Sequence, residues 1–179
     1  MRSRTDPVIV ADYDPLWEQT FAILRDRLAA RLGDLAVAIE HVGSTAVPGL
    51  AAKPIVDIDV VLRTETDLPA AAVALAKLGY EFIGDLGIAG REAFRAPAGD
   101  PQHNLYVCAA GAIELQRHLT FRDALRADPA LANEYAELKR ELAERYRDDR
   151  DTYTEGKTPF VTRVLMNART ADKRRLPRR

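Results

Sequence analysis

The sequence predicts an α+β fold: a mixed sheet of about five strands with helices, and a C-terminal part that is all helical. Three observations predict it. Residues 55–62 form a Val- and Ile-rich run broken only by Asp57 and Asp59, which is short enough for one strand. On either side of it, helical spacings of apolar residues alternate with short runs bounded by Gly and Pro, the pattern of mixed secondary structure. After Gly111 the apolar spacing stays helical, so helices segregate from strands as they do in α+β domains.

Residues 7–13 read as a short strand or an extended arm. Asp14 and Pro15 open the first helix, with Asp14 as N-cap and Pro15 at the first helical position, where a missing N–H costs nothing. Leu16, Phe21, Leu24 and Leu28 recur at helical spacing and Gly33 ends the element. Ala36–Val42 reads as the first core strand. Gly43 to Pro54 is an ordered loop or short helix, turned by Pro48 and Gly49. Ile55–Leu62 is the strand that carries both aspartates. Leu68–Leu78 is helical and Tyr80–Ile83 begins another strand. Ala93–Ala96 and Asn104–Ala109 read as two strands joined by the turn at residues 97–101. Ile113–Arg126 is a helix; the next has Asp128 as N-cap and Pro129 at its first position, and the last carries Phe160, Val164 and Ala168.

The chain has 179 residues, which fits one domain over residues 1–170 with its own core. A basic stretch follows at residues 171–179, read as a frayed, solvated tail. The net charge of −1 argues against coating nucleic acid, which calls for a large positive excess, so RNA is not an expected partner. A single cysteine, Cys108, forms no internal disulfide and suits a reducing cytosol, and no apolar run approaches a membrane span. With no signal-peptide pattern at the N-terminus, the expected location is cytoplasmic. Cys108 follows Leu105 and Val107 on a strand and reads as a packed, inert thiol.

Side chains two apart on a strand point the same way, so Asp57 and Asp59 share one face while Val56, Ile58, Val60 and Leu62 line the other. Asp is a poor strand former. An unpaired carboxylate in a central strand costs several kcal/mol. A pair of them in such a run points to a site more than to a solvated edge or a salt-bridge cluster. The turn at Gly43 and Ser44 lies upstream. Backbone amides beside a glycine approach phosphate closely, and the Ser44 hydroxyl adds a donor. Two carboxylates near a phosphate-sized turn are what a hard cation and a nucleoside triphosphate need.

The stretch HVGSTAVPGLAAKPIVDIDV, residues 41–60, resembles the signature of the GrpB-like family. The resemblance continues through His103-Asn104-Leu105-Tyr106-Val107, Arg117-His118-Leu119, Phe121-Arg122-Asp123, Glu134-Tyr135 to Lys139, and Tyr153-Thr154-Glu155 with Lys157. It covers about Tyr13 to Val164. That family in turn resembles the nucleotidyltransferase superfamily, where a Gly-Ser turn holds triphosphate and a D-x-D strand holds magnesium. Twelve residues separate Ser44 from Asp57, close to the spacing of those enzymes. The resemblance implies Mg²⁺ on Asp57 and Asp59 as the catalytic pair, with Gly43, Ser44, Lys53, His103, Lys139 and Lys157 on the nucleotide. It does not supply the third carboxylate usual in such sites; Glu40, Glu92 and Glu114 are open candidates. Arg117 and Arg122 also fall at family positions.

Each histidine has its own expectation. His41 is read as a hydrogen-bonded core residue, His103 as a pocket residue, and His118 as an exposed helical one. The leading expectation is a magnesium-dependent nucleotidyltransferase-type protein acting on an unknown acceptor. The alternative is a non-catalytic nucleotide sensor or folding accessory of the same fold, since GrpB-like domains also occur fused to dephospho-CoA kinases.

Overall fold

The computed structural model describes residues 7–175, with side chains described to residue 170. Pro15 already has helical backbone angles (φ −57°, ψ −20°). The Asp14 carboxylate accepts from the Leu16 amide at 2.9 Å, satisfying one of the donors that a helix start leaves free. Helix α1 (Leu16–Leu32) buries Leu24, Leu28 and Leu32 along one stripe.

Five strands form one sheet in the order β1-β2-β5-β4-β3. They are β1 (Ala36–Val42), β2 (Val56–Leu62), β3 (Glu81–Gly84), β4 (Arg91–Arg95) and β5 (His103–Ala109). Only β2 and β5 run parallel; the other neighbours are antiparallel. A parallel pair needs a long crossover, and here helix α2 (Leu68–Ala76) with β3 and β4 provides it.

The strand period sorts β2 as expected. Val56, Ile58, Val60 and Leu62 pack with Leu24, Leu28 and Leu75 in the main core, under α1 and α2. Val61 on the opposite face packs with Cys108 and Leu115 of helix α3 (Ile113–Ala127). Asp57 and Asp59 share the parity of Val61 and so belong to the α3 face. Burial pushes the Cys108 thiol up to about 12, which agrees with an inert packed cysteine.

Helix α4 (Pro129–Arg145) is capped by Asp128, which accepts from the Ala130 and Leu131 amides. Tyr135 and Ala136 of α4 pack with Leu125 of α3, with Phe160 and Val164 of helix α6 (Thr158–Arg175), and with Val47 and Leu50. The C-terminal helices thereby clamp the loop between β1 and β2. Between them lies α5 (Arg150–Glu155), a short helix that the sequence reading did not separate. Its run of charges hides the apolar signal, and only Tyr153 is buried. Helix α6 continues to Arg175, so residues 171–175 of the expected tail are helical. Residues 176–179 lie outside the described residues. No helix among the described residues is long and apolar enough to cross a membrane.

Candidate functional site

Register decides which side chains meet the two aspartates. Asn104 stands opposite Asp57 and Tyr106 opposite Asp59 across β2 and β5, while Glu40 stands opposite Asp59 across β1. Asn104 donates to Asp57 Oδ1 at 2.6 Å. The other oxygen, Oδ2, lies against the Gly43 backbone, where a Cβ would stand only 2.3 Å from it. Gly43 has φ 71° and ψ −169°, a conformation essentially closed to residues with a side chain. Burial raises the Asp57 carboxyl above the usual carboxylate range and Asp59 adds to the rise. The Asn104 hydrogen bond and the charges of His118 and Lys53 oppose it.

Asp59 is 1% exposed. Its Oδ2 accepts from His118 Nδ1 at 2.7 Å, and its Oδ1 is buried with no hydrogen-bond partner among the described residues. An unsatisfied buried acceptor of this kind costs about 1–3 kcal/mol. Burial lowers the His118 pKa, but the hydrogen bond and charge of Asp59 outweigh it and the net shift is upward. His118 is therefore a partner of the D-x-D strand and not the exposed helical residue expected. The signal was present: Glu114, Arg117, His118 and Phe121 fall on one helical face, and all four line the same cavity.

That cavity, about 410 Å³, is bordered by Gly43, Ser44 and Lys53 from the loop, by Asp57, Asn104 and Tyr106 from the strands, and by Arg150 and Lys157. The Lys53 and Lys157 ammonium groups lie 5.1 and 4.6 Å from the centroid of one ring, Tyr153. Burial pushes the Lys157 amine down to about 8, with Lys53 and Arg150 adding to the effect and Asp57 opposing it. Burial also lowers Lys53, with Arg150 beside it. Ser44 of the loop and Tyr135 of α4 both line this cavity. Of the expected site residues, Gly43, Ser44, Lys53, Asp57 and Lys157 thus meet in one cavity, with Asp59 buried beside it.

Two expected residues fall elsewhere. His103 is next to Asn104 in sequence and so points to the opposite face of β5, the face of Val56 and the main core. There its Nδ1 donates to the Pro101 carbonyl and its Nε2 accepts from the Tyr80 hydroxyl, both at 2.7 Å. Burial lowers its pKa, which matches a neutral ring. Lys139 is 2% exposed, donates to the Ala51 carbonyl, and lies 4.7 Å from the Tyr135 ring centroid. It braces the loop from behind and does not line the cavity. His41 is a core histidine, as expected: it stacks on Phe21 at 4.6 Å and shares a 3.0 Å hydrogen bond with Thr45.

Burial, with Lys157 next, pushes the Lys139 amine down to about 7. An amine lowered on folding binds fewer protons folded than unfolded between pH 7 and its unfolded value. Stability contributed by Lys139 therefore rises with pH across that window. Relative to wild type, Lys139→Met is expected to lose about 1.4 kcal/mol of stability for each pH unit between about 7 and 10. Denaturant melts at stepped pH check this.

None of the three open candidates completes a three-acid set. Glu40 pairs with Arg122 at 2.8 Å, and the same arginine donates to the His41 carbonyl. Glu92 pairs in register with Val107 and lines a separate small pocket. Glu114 lines the site cavity but pairs with Arg117 at 3.4 Å. Among the described residues no group of three or more His, Cys, Asp and Glu side chains is placed to hold a metal ion.

A mixed sheet with a D-x-D strand beside a glycine turn, closed by C-terminal helices, has the nucleotidyltransferase fold. The Cid1 poly(U) polymerase with MgGTP bound aligns with a TM-score of 0.56 at 16% identity, over 76% of this chain and 45% of that one. The GLD-2/RNP-8 complex aligns at 0.57 and 14%, over 82% and 58%. These likenesses concern the fold alone. The chain belongs to the GrpB family, whose model, described as GrpB protein, matches residues 7–167. The crystal structure of conserved protein GrpB from Enterococcus faecalis superposes with a TM-score of 0.81 at 34% identity, covering 89% of this chain and 96% of that one. UPF0157 protein YqkA of Bacillus subtilis is 35% identical over 88% of this chain, which spans 46% of YqkA's length. UPF0157 protein BH1888 of Halalkalibacterium halodurans is 36% identical over 90% of this chain and 82% of its own length. A dephospho-CoA kinase of Mycolicibacterium paratuberculosis is 27% identical over 86% of this chain and 44% of its own length.

Proposed function

We propose that the protein binds a nucleoside triphosphate together with Mg²⁺ and transfers its nucleotidyl group to an acceptor. The observation that carries this reading is the cavity itself. Lys53, Arg117, Arg150 and Lys157 line it together with the half-buried Asp57, and the depressed amines of Lys53 and Lys157 are poised to gain from an anion. The donor set fits a hard cation. Asp57 and Asp59 share a strand face, and a buried oxygen of Asp59 has no donor. These two residues would hold Mg²⁺, which when bound neutralises charge on the triphosphate oxygens.

The remaining roles belong to the chain. The Gly43 backbone and Ser44 meet the phosphates, Lys53 and Lys157 take the distal charge, and Arg150 closes the cavity. Phe121, Tyr106 and Tyr135 offer aromatic surface to a base. A thermal-shift screen of nucleotides with and without Mg²⁺ tests the reading: saturating triphosphate at about 100 times Kd is expected to raise Tm by roughly 5–10 °C.

Lys53→Ala is expected to weaken triphosphate binding about tenfold and monophosphate binding far less, because the ammonium meets distal charge; the loss shrinks in high salt. Competition titrations with the two nucleotides check it, and an equal loss for both contradicts the role. One observation favours a second reading, the non-catalytic nucleotide sensor: among the described residues no third acid joins the pair. Triphosphate binding without pyrophosphate release would select it.

A further inference from the structure

Asp59 offers fewer free oxygens than a two-cation site uses. A carboxylate that bridges two ions spends both oxygens on them. Here Oδ2 is already held by His118 at 2.7 Å, and the residue is almost wholly buried. Asp57 is committed at one oxygen only: Oδ1 accepts from Asn104, while Oδ2 stands beside the Gly43 backbone. Asn104 stands in register beside Asp57 on the neighbouring strand, where an acid would have completed a third ligand. The other acid of the cavity, Glu114, is paired with Arg117. What remains is the unpartnered Oδ1 of Asp59 and the accessible edge of Asp57. Two such oxygens are too few for two cations, and one small cation held by them would take its remaining ligands from phosphate and water.

We propose that this is a one-cation site, in which the imidazole of His118 stands on Asp59 where a second divalent ion would otherwise bind. His118 is on this account a positioning residue: it holds Asp59 in one orientation and excludes the second ion. The inference rests on the triphosphate reading above and goes beyond it by fixing the ion count and naming the residue that sets it.

Native mass spectrometry of the full chain with Mn²⁺ and α,β-methylene-ATP, which resists transfer, counts the ions directly. The wild-type complex is expected to carry one Mn²⁺ per bound nucleotide. His118→Glu places a carboxylate of similar reach at the same position and is expected to carry two, since it completes a three-acid set. His118→Gln keeps an amide donor for Asp59 Oδ2 and is expected to carry one, and it serves as the milder variant should the added acid impair folding. Two ions on wild type or on His118→Gln would overturn the one-cation site while leaving the triphosphate reading intact. One ion on a folded His118→Glu would overturn the role given to His118. Absence of any nucleotide complex would overturn both readings together.

Discussion

Gly43→Ala is expected to destabilise the protein by about 3 kcal/mol and to abolish triphosphate binding, through two separate effects. The first is backbone strain. Gly43 sits at φ 71° and ψ −169°, a region that costs of order 1–3 kcal/mol for any residue with a Cβ. The second is overlap: the new methyl would meet Asp57 Oδ2 at 2.3 Å. The carboxylate does not swing away freely, because Asn104 holds its other oxygen at 2.6 Å. Gly49→Ala is the control. Gly49 also has a positive φ, 79°, but none of the described residues comes within 4 Å of its Cβ position, so only a strain cost of about 1 kcal/mol is expected. Combining Gly43→Ala with Asp57→Gly isolates the overlap. Chemical denaturation of the four variants should show the double mutant recovering part of the Gly43→Ala loss. Full additivity would mean that the glycine and the aspartate are not in contact.

Asp57→Asn is expected to leave the nucleotide-free protein equally or more stable while costing Mg²⁺-dependent binding more than the roughly 10–100-fold typical of losing a supporting partner. The sign follows from the pKa shift. Burial raises the folded-state pKa of Asp57. Ionisation as pH rises through the carboxylate range therefore costs the folded state stability. Asparagine removes that cost at neutral pH, and its carbonyl still accepts from Asn104. A structural ion-pair role predicts the reverse, a loss of about 3–5 kcal/mol from a buried cation left unpaired. Melts without nucleotide, paired with binding titrations, separate the two outcomes.

The parts of this molecule written in local rules were legible in its sequence. Asp14, Pro15 and Gly33 bound α1, Asp128 caps α4, and the period of two assigned Asp57 and Asp59 to one face because strand alternation needs no partner to operate. The cavity residues that were missed depend on non-local register. Whether His103 or Asn104 meets Asp57 turns on a one-residue step of β5 against β2, and such a step reverses every side chain. Lys139 was misplaced for a related reason. In the structure it lies on the buried stripe of α4 with Tyr135 and Leu142, and whether that stripe meets the cavity or the loop behind it is set by how α4 packs. His118 was legible on the face shared with Glu114, Arg117 and Phe121, but a lone histidine among charged neighbours reads first as surface.

Isothermal titration of α,β-methylene-ATP into the wild-type chain tests the central claim most directly, namely that the cavity between Gly43, Asp57 and Lys157 takes a metal-bound triphosphate. The account predicts saturable one-to-one binding in Mg²⁺ that collapses in EDTA and in Asp57→Asn. Heats no greater than dilution for the triphosphates of every common base up to millimolar concentration, or binding indifferent to both EDTA and the Asp57 substitution, would contradict it.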